Sequence, residues 1–153
     1  MDPAQPLVLT KEEHALLGEL IEIIGLIEHM MAESAARFDG AASQKILKQA
    51  TGKSQATIWA NTIRNHVKDP KIARLIPISE KEIEDVAEER NDFIHTLFTG
   101  DYAAPGYMEP GYQTTSATRS RTGLKRPVSD LHGIRDRAAE LSCLIAKIVN
   151  AIM

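Results

Sequence analysis

The chain is poor in cysteine and in aromatic residues, and each scarcity excludes a class of protein. Cys143 is the only cysteine among 153 residues, so the chain cannot form an internal disulfide and fits a reducing compartment such as the cytoplasm. We expect this thiol to pack inside the apolar run around it. Aromatic residues make up 5% of the sequence, which favours helices over a β-sandwich.

Long hydrophobic runs and a strong net charge are also missing. The longest apolar stretch, near residues 20–31, is interrupted by Glu22 and Glu28 and is too short and too charged to cross a membrane. The N-terminal segment has neither the basic region nor the apolar run of a signal peptide, so we expect no membrane partner. Since the formal net charge is −3, any contact with nucleic acid requires a local basic patch.

What the sequence does contain is a 43% apolar fraction arranged in amphipathic order. Over about residues 11–37, apolar side chains recur every three or four positions, as on one face of a helix. Two shorter helices are predicted at about 43–50 and 54–67, and a last one at about 128–152. The predicted fold class is therefore all-α, a four- or five-helix bundle that forms a single domain over residues 1–153.

The clearest local signals surround another helix, predicted at about residues 80–98. Pro77 is expected to forbid a helix across the connector before it. The residues around the expected start have the spacing of a capping box and a hydrophobic staple, namely Ser79 with Glu82 and Ile78 with Ile83. These signals predict that the helix begins just after Ser79.

Residues 100–127, rich in glycine and proline, predict a long loop before the last helix, with a short β-hairpin as an option around 112–120. A loop of this length in a small domain is usually functional or disordered. The same region holds most of a cationic cluster that also includes Arg135 and Arg137. We expect six residues of the loop to bind RNA through backbone contacts and base stacking: Arg119, Arg121, Lys125, Arg126, Tyr102 and Tyr107.

Arg90 is the residue least expected on the apolar face of the helix at 80–98. On an ideal helix it lies near the middle of a stripe formed by Ile83, Val86, Ala87, Ile94 and Leu97. Asn91 and His95, four positions apart, share the adjacent edge. A guanidinium on such a stripe is costly unless it is paired. A buried ion pair with a glutamate of another helix, such as Glu19, Glu22 or Glu28, is the structural explanation.

The stretch "RNDFIH" offers a functional explanation, because it resembles the R-x4-6-H motif of the HEPN superfamily of all-helical domains. Arg90 matches the arginine of that motif, Asn91 the polar residue that commonly follows it, and His95 its histidine. The late position of the motif in a helical bundle matches as well. The segment that follows it is longer than the turn found in many members.

The resemblance implies a metal-independent ribonuclease without a cofactor, of a kind often found as toxins. It implies a homodimer in which two motifs meet across the interface, RNA as the substrate, and a cognate antitoxin protein as a further partner. In RNA cleavage by attack of the 2′-hydroxyl, His95 would transfer protons, Arg90 would stabilise charge and Asn91 would position the reacting groups. A HEPN-like domain that binds a nucleotide or a partner without catalysis is the first alternative.

A second alternative is a helix-turn-helix DNA-binding regulator built from residues 43–67. Gly52 would form the turn and Ser54 would cap the recognition helix. Lys48 and Lys53 stand where small residues are usual, which counts against this interpretation.

Two other patterns are rejected. "ATGKS" has Leu47 where a P-loop needs glycine, and it follows a predicted helix rather than a strand. His29 and Glu33 are four apart, but facing Glu-x-x-His motifs, as a di-metal bundle requires, are missing from the sequence, so we expect no metal site.

Overall fold

The computed structural model describes residues 11–49, 51–98 and 130–153. Within these ranges the regular secondary structure is entirely helical, which confirms the all-α class, and five helices have nine or more residues. The predicted loop 100–127 and its optional hairpin lie outside the described residues. The helices are α1 (Lys11–Ala36), α2 (Gly40–Lys48), α3 (Gly52–Ile63), α4 (Pro70–Ala73), α5 (Leu75–Phe98) and α6 (Asp130–Ile152), with a 3-10 turn at Arg64–His66.

Helix α2 begins earlier than the predicted start at Ser43. A carboxylate oxygen of Asp39 accepts hydrogen bonds from the backbone N–H groups of Ala41 and Ala42, at 3.0 and 3.2 Å. Asp is one of the best residues for this position, because its side chain satisfies N–H groups that have no partner inside the helix. The cap at Asp39 therefore fixes the first residue of α2 at Gly40.

Helix α3 is capped by Thr51 and not by Ser54, so the predicted cap was wrong. The Oγ1 of Thr51 accepts a hydrogen bond from the backbone N–H of Ser54 at 3.2 Å. Ser54 lies inside the first turn and accepts from the Thr51 hydroxyl at 2.9 Å. The α-helix ends at Ile63, and the 3-10 turn carries the chain almost to the predicted end at 67.

The predicted start of α5 was also wrong, since the helix begins at Leu75 and includes Pro77. Proline is compatible with the first helical turn, because the N–H groups there have no partner inside the helix. Ser79 lies within the helix and is completely buried, so it does not act as a cap. Ile78 is 52% exposed, which excludes the predicted hydrophobic staple with Ile83.

The chain divides into two compact units, each assembled from separate stretches of sequence. The larger unit contains residues 21–87 and 137–153. The described part of the smaller unit comprises residues 11–20, 88–98 and 130–136. Each unit buries its own apolar side chains, which in the smaller one are Leu16, Leu20, Phe93, Leu131 and Ile134.

The core of the larger unit is centred on Trp59, which is completely buried. Its indole Nε1–H donates a hydrogen bond to the hydroxyl of Ser34 at 3.0 Å, and this hydroxyl donates to the carbonyl of Met30 at 2.7 Å. These bonds satisfy polar groups that burial would otherwise leave unpaired. The apolar side chains buried with Trp59 in this unit include Ile27, Met31, Ile46, Ile63, Ile76, Ile83, Val86, Leu141, Ile145 and Ile148.

Helices α3 and α5 approach each other closely where α3 begins. A Cβ atom added to Gly52 would clash with the Cβ of Ala87. Glycine is therefore required at this position by the space available, since a larger residue would force the two helices apart.

Cys143 is exposed, which contradicts the expectation that it packs in the interior. The buried residues of α6 recur at spacings of three and four, and Cys143 falls between two of them, Leu141 and Ile145, on the outward side. None of the described helices is both long enough and apolar enough to span a membrane.

Candidate functional site

Arg90, Asn91 and His95 lie on α5, near its C-terminal end. The side chains of Arg90 and Asn91 are half-buried. For His95 the structure gives its place in the helix, and its side chain lies outside the described residues.

Arg90 occupies the buried face of α5. Val86 and Phe93, four positions before it and three positions after it, are 2% and 1% exposed. The Nε atom of Arg90 is itself buried, and it has no hydrogen-bond partner among the described residues. A buried N–H group without a partner is unfavourable, and such a group in a native structure calls for an explanation.

One glutamate considered as a structural partner of Arg90 is engaged elsewhere. Glu19 accepts a hydrogen bond from the guanidinium of Arg135 at 2.7 Å, an ion pair within the smaller unit. The Nε of Arg135 also lies 2.8 Å from a carboxylate oxygen of Asp136. Glu19 therefore forms an ion pair between α1 and α6 and not the pair with Arg90 that was considered.

Asp92 is a candidate residue that sequence reasoning missed. The residue is 2% exposed, although it lies in the most polar part of the motif. It stands three positions before His95 on the same helix. The apolar pattern gives no signal for its burial, because a residue directly before Phe93 lies about 100° away from it around the helix.

The residues predicted to bind RNA lie outside the described residues, namely Arg119, Arg121, Lys125, Arg126, Tyr102 and Tyr107. The remaining two members of the cationic cluster are described, and both form ion pairs. Arg135 contacts Glu19 as above, and a guanidinium nitrogen of Arg137 lies 3.3 Å from a carboxylate oxygen of Glu82. Their charge is therefore partly neutralised, because carboxylates distant in sequence are close in the fold.

The helix-turn-helix interpretation has a geometric basis, since α2 ends at Lys48 and α3 begins shortly after it, at Gly52. The side-chain amide of Gln55 donates to the carbonyl of Ile46 at 3.1 Å and joins the two helices. The exposed side of α3 carries Lys53, Thr57 and Asn61 at spacings of four. However, the Nζ of Lys53 lies 3.6 Å from a carboxylate oxygen of Glu84 of α5. This places a negative charge beside the side of α3 that would contact DNA.

His29 and Glu33 form an exposed pair on α1, with 3.3 Å between Nε2 and the carboxylate. In the part of the chain that the structure describes, no group of three or more His, Cys, Asp or Glu residues is placed to hold a metal ion. The segment before Gly52 is the helix α2, as predicted, and not the strand that precedes a P-loop.

A cleft in the larger unit is a second feature that sequence reasoning missed. It encloses about 590 Å³ and is lined by three stretches: residues 37–38 after α1, residues 65–69 after α3, and residues 151–152 of α6. Its charged side chains include Arg37 and Lys68, and its rings are those of Phe38 and His66. The sequence gives little indication of this cleft, because its three parts are far apart along the chain.

The fold and the described residues define an all-α helical protein with an arginine on the buried face of α5. Comparisons of the chain with protein-family models, with curated proteins and with solved structures give no match. The function is therefore argued from the site residues and their geometry.

Proposed function

We propose that the protein is a metal-independent RNA endonuclease of the HEPN type. The observation that carries this proposal is Arg90, whose buried Nε lacks a partner among the described residues, directly before Asn91 and five positions before His95. A guanidinium that is always charged and partly desolvated binds phosphate strongly, because its N–H groups match phosphate oxygens in pairs. A phosphate of the substrate would supply the partner that the Nε of Arg90 lacks among the described residues.

The proposed reaction is an intramolecular transesterification of RNA. The 2′-oxygen attacks the adjacent phosphorus, the bond between phosphorus and the 5′-oxygen breaks, and the products end in a 2′,3′-cyclic phosphate and a 5′-hydroxyl. One proton leaves the 2′-hydroxyl and one reaches the departing 5′-oxygen, and His95 transfers protons in this step. Arg90 stabilises the charge of the phosphorane, and Asn91 positions the phosphate or the imidazole.

The proposal includes a homodimer in which two motifs face one RNA strand. A second copy supplies a second histidine, so that one can act as the base and the other as the acid. The single thiol cannot form an internal disulfide, so the cytoplasm is the proposed compartment. A toxin or phage-defence role, with a cognate antitoxin protein as a partner, belongs to the same proposal.

The test is cleavage of single-stranded RNA by the purified protein in EDTA, with analysis of the product ends. Wild type is expected to give 2′,3′-cyclic phosphates, and His95→Ala and Arg90→Met are each expected to lose at least about 100-fold in rate. Methionine suits the apolar stripe of α5, so Arg90→Met should unfold at the same temperature as wild type or a higher one.

Matched controls are available on exposed residues of the same types. His132→Ala and Arg74→Ala remove an exposed imidazole and an exposed guanidinium, and both should cleave at the wild-type rate. Full activity in Arg90→Met or in His95→Ala would contradict the catalytic assignment. Equal losses in the control variants would indicate a contaminating nuclease or a general charge effect.

The non-catalytic alternative predicts binding without cleavage. In that case the wild type and His95→Ala would both leave RNA intact, while Arg90→Met would weaken the binding of a nucleotide or an oligonucleotide. This outcome would retain Arg90 as an anion-binding residue and remove the reaction.

The helix-turn-helix alternative is favoured by the exposed polar side of α3. It predicts duplex DNA binding that survives loss of His95 and is weakened by Thr57→Ala or Asn61→Ala, residues on that side. The ion pair between Lys53 and Glu84 argues against it, since DNA phosphates would be repelled by the carboxylate.

A further inference from the structure

The cleft of the larger unit combines the groups that a nucleotide requires. Phe38 and His66 stack face to face, with 3.8 Å between ring centroids and 8° between ring planes. His66 is exposed, so the pair presents a flat platform at the cleft. A planar base gains stacking energy on such a platform regardless of its identity, because every base has a π-face.

The lining of the cleft also contains two exposed cations, Arg37 on one stretch and Lys68 on another. Arginine and lysine are both able to bind phosphate, one through a planar fork of donors and the other through a compact charge. They come from segments that are far apart in the sequence.

The remaining polar groups of the lining suit a sugar and a base edge. Asn65 offers both a donor and an acceptor. Asp69 uses one carboxylate oxygen to accept the backbone N–H of Lys71 at 2.9 Å at the start of α4. Its other oxygen can accept from a ribose hydroxyl. The volume of about 590 Å³ lies in the range of small-molecule sites.

Helix dipoles do not cancel the cationic character of the cleft. Only residues 37–39 separate the C-terminus of α1 from the N-terminus of α2, so the partial charges of these two ends have opposite signs and offset each other. The C-terminal end of α6 contributes residues 151–152 to the cleft. Among the described residues, no helix follows this end to offset its partial charge. Its partial negative charge of about one half, even together with the carboxylate of Asp69 in the same lining, is smaller than the two full charges of Arg37 and Lys68.

We propose that this cleft binds a nucleoside phosphate, with the base on the Phe38–His66 pair and the phosphate between Arg37 and Lys68. The proposal goes beyond cleavage at α5, because none of the lining residues belongs to the Arg90 motif. The same chemistry is offered by a free nucleotide and by one unit of a single-stranded RNA, and the experiment separates these two sources.

The test uses the full-length His95→Ala variant, so that RNA stays intact, and measures binding of AMP, adenosine and a short oligoadenylate by calorimetry. AMP or the oligonucleotide should bind saturably, and adenosine more weakly than AMP because it lacks the phosphate. Adding Arg37→Ala or Lys68→Ala should weaken binding of the phosphorylated ligand about tenfold or more. His66→Ala should also weaken it about fivefold or more, whereas His66→Phe preserves the stack.

The control is Lys45→Ala, an exposed lysine on α2 that does not line the cleft, and it should bind like the parent. Binding of AMP at the affinity of the oligonucleotide identifies a free nucleotide as the ligand, and binding of the oligonucleotide alone identifies an RNA strand. Either result supports the proposal if Arg37→Ala and Lys68→Ala weaken it. Absence of binding by both ligands, or equal losses in Lys45→Ala, overturns the proposal without affecting the assignment of Arg90.

Discussion

Ser34 has a larger structural role than its size suggests, because its hydroxyl accepts the only hydrogen-bonding group of the Trp59 side chain. We predict that Ser34→Ala lowers the free energy of unfolding by about 1–3 kcal/mol, since the buried indole N–H loses its acceptor. Chemical denaturation monitored by tryptophan fluorescence would measure this, as Trp59 is the single tryptophan of the chain.

Ser142→Ala is the matched control for this prediction. Ser142 also donates to a carbonyl of its own helix, that of Ala139 at 2.7 Å, but it supports no tryptophan. Its replacement should change stability by no more than about 0.5 kcal/mol. If both substitutions had the same small effect, the bond between Ser34 and Trp59 would contribute nothing measurable. In a Trp59→Phe background, where the N–H is absent, the effect of Ser34→Ala should shrink.

At the scale of single residues, the sequence predicted the helix face that a residue occupies better than it predicted the partner of that residue. Arg90 was expected on an apolar face, and Val86 and Phe93 beside it are buried. Glu19, one of three glutamates considered as its partner, binds Arg135, which lies 116 positions away in the sequence. Periodicity identifies a helix face, but it carries no information on which distant side chain lies opposite.

The glycines of α1 and α3 lie on two kinds of helix surface, one open and the other closely packed against another helix. A Cβ added to Gly25 of α1 meets nothing within 4 Å, whereas one added to Gly52 of α3 would clash with Ala87. We predict that Gly25→Ala raises the free energy of unfolding by about 0.5–1 kcal/mol, because alanine is the better helix former. Gly52→Ala should lower it by about 1–3 kcal/mol through overpacking.

Thermal and urea unfolding of the two variants, with Gly18→Ala as a second open position, would measure these effects. A loss of stability in Gly25→Ala would contradict the open surface on α1 and would indicate that another molecule covers it. The opposite signs expected at Gly25 and Gly52 make the comparison independent of any general effect of replacing glycine.

At the scale of helices, the sequence predicted which helices form better than it predicted the residues at which they begin and end. The expected helices at 11–37 and 128–152 match α1 and α6 closely, because their apolar pattern is long and regular. The wrong boundaries fall at residue types that are compatible with more than one position at the end of a helix. Thr51 and Ser54 are both good caps, and Pro77 can either end a helix or lie in its first turn. Local sequence does not choose between such options, and tertiary packing does.

At the scale of the whole molecule, the two candidate sites differ in how much of each could be predicted. The motif on α5 is continuous in sequence, so its residues could be named before the fold was known. The cleft is assembled from residues 37–38, 65–69 and 151–152, and its stacked pair joins Phe38 to His66. Such a site has no sequence signature, because it exists only after three helix ends have met.

The last prediction concerns the assembly that the ribonuclease proposal requires. If two copies share one active site, adding excess His95→Ala to wild type should inhibit cleavage, since most wild-type chains would be held in mixed dimers. The specific activity of the wild type alone should also fall on dilution, because the active dimer dissociates by mass action. The measurement is the rate of RNA cleavage as a function of protein concentration, alongside the molecular mass in solution.

A monomeric enzyme behaves differently in both experiments. Its specific activity is independent of concentration, and excess His95→Ala reduces the rate only by competing for RNA, which a higher RNA concentration restores. Inhibition that persists at saturating RNA therefore identifies mixed dimers as its cause. If inhibition disappeared at saturating RNA and the mass were that of one chain, a single copy would have to supply both the acid and the base. Asp92, buried three positions before His95, would then be the first residue to test for the second role.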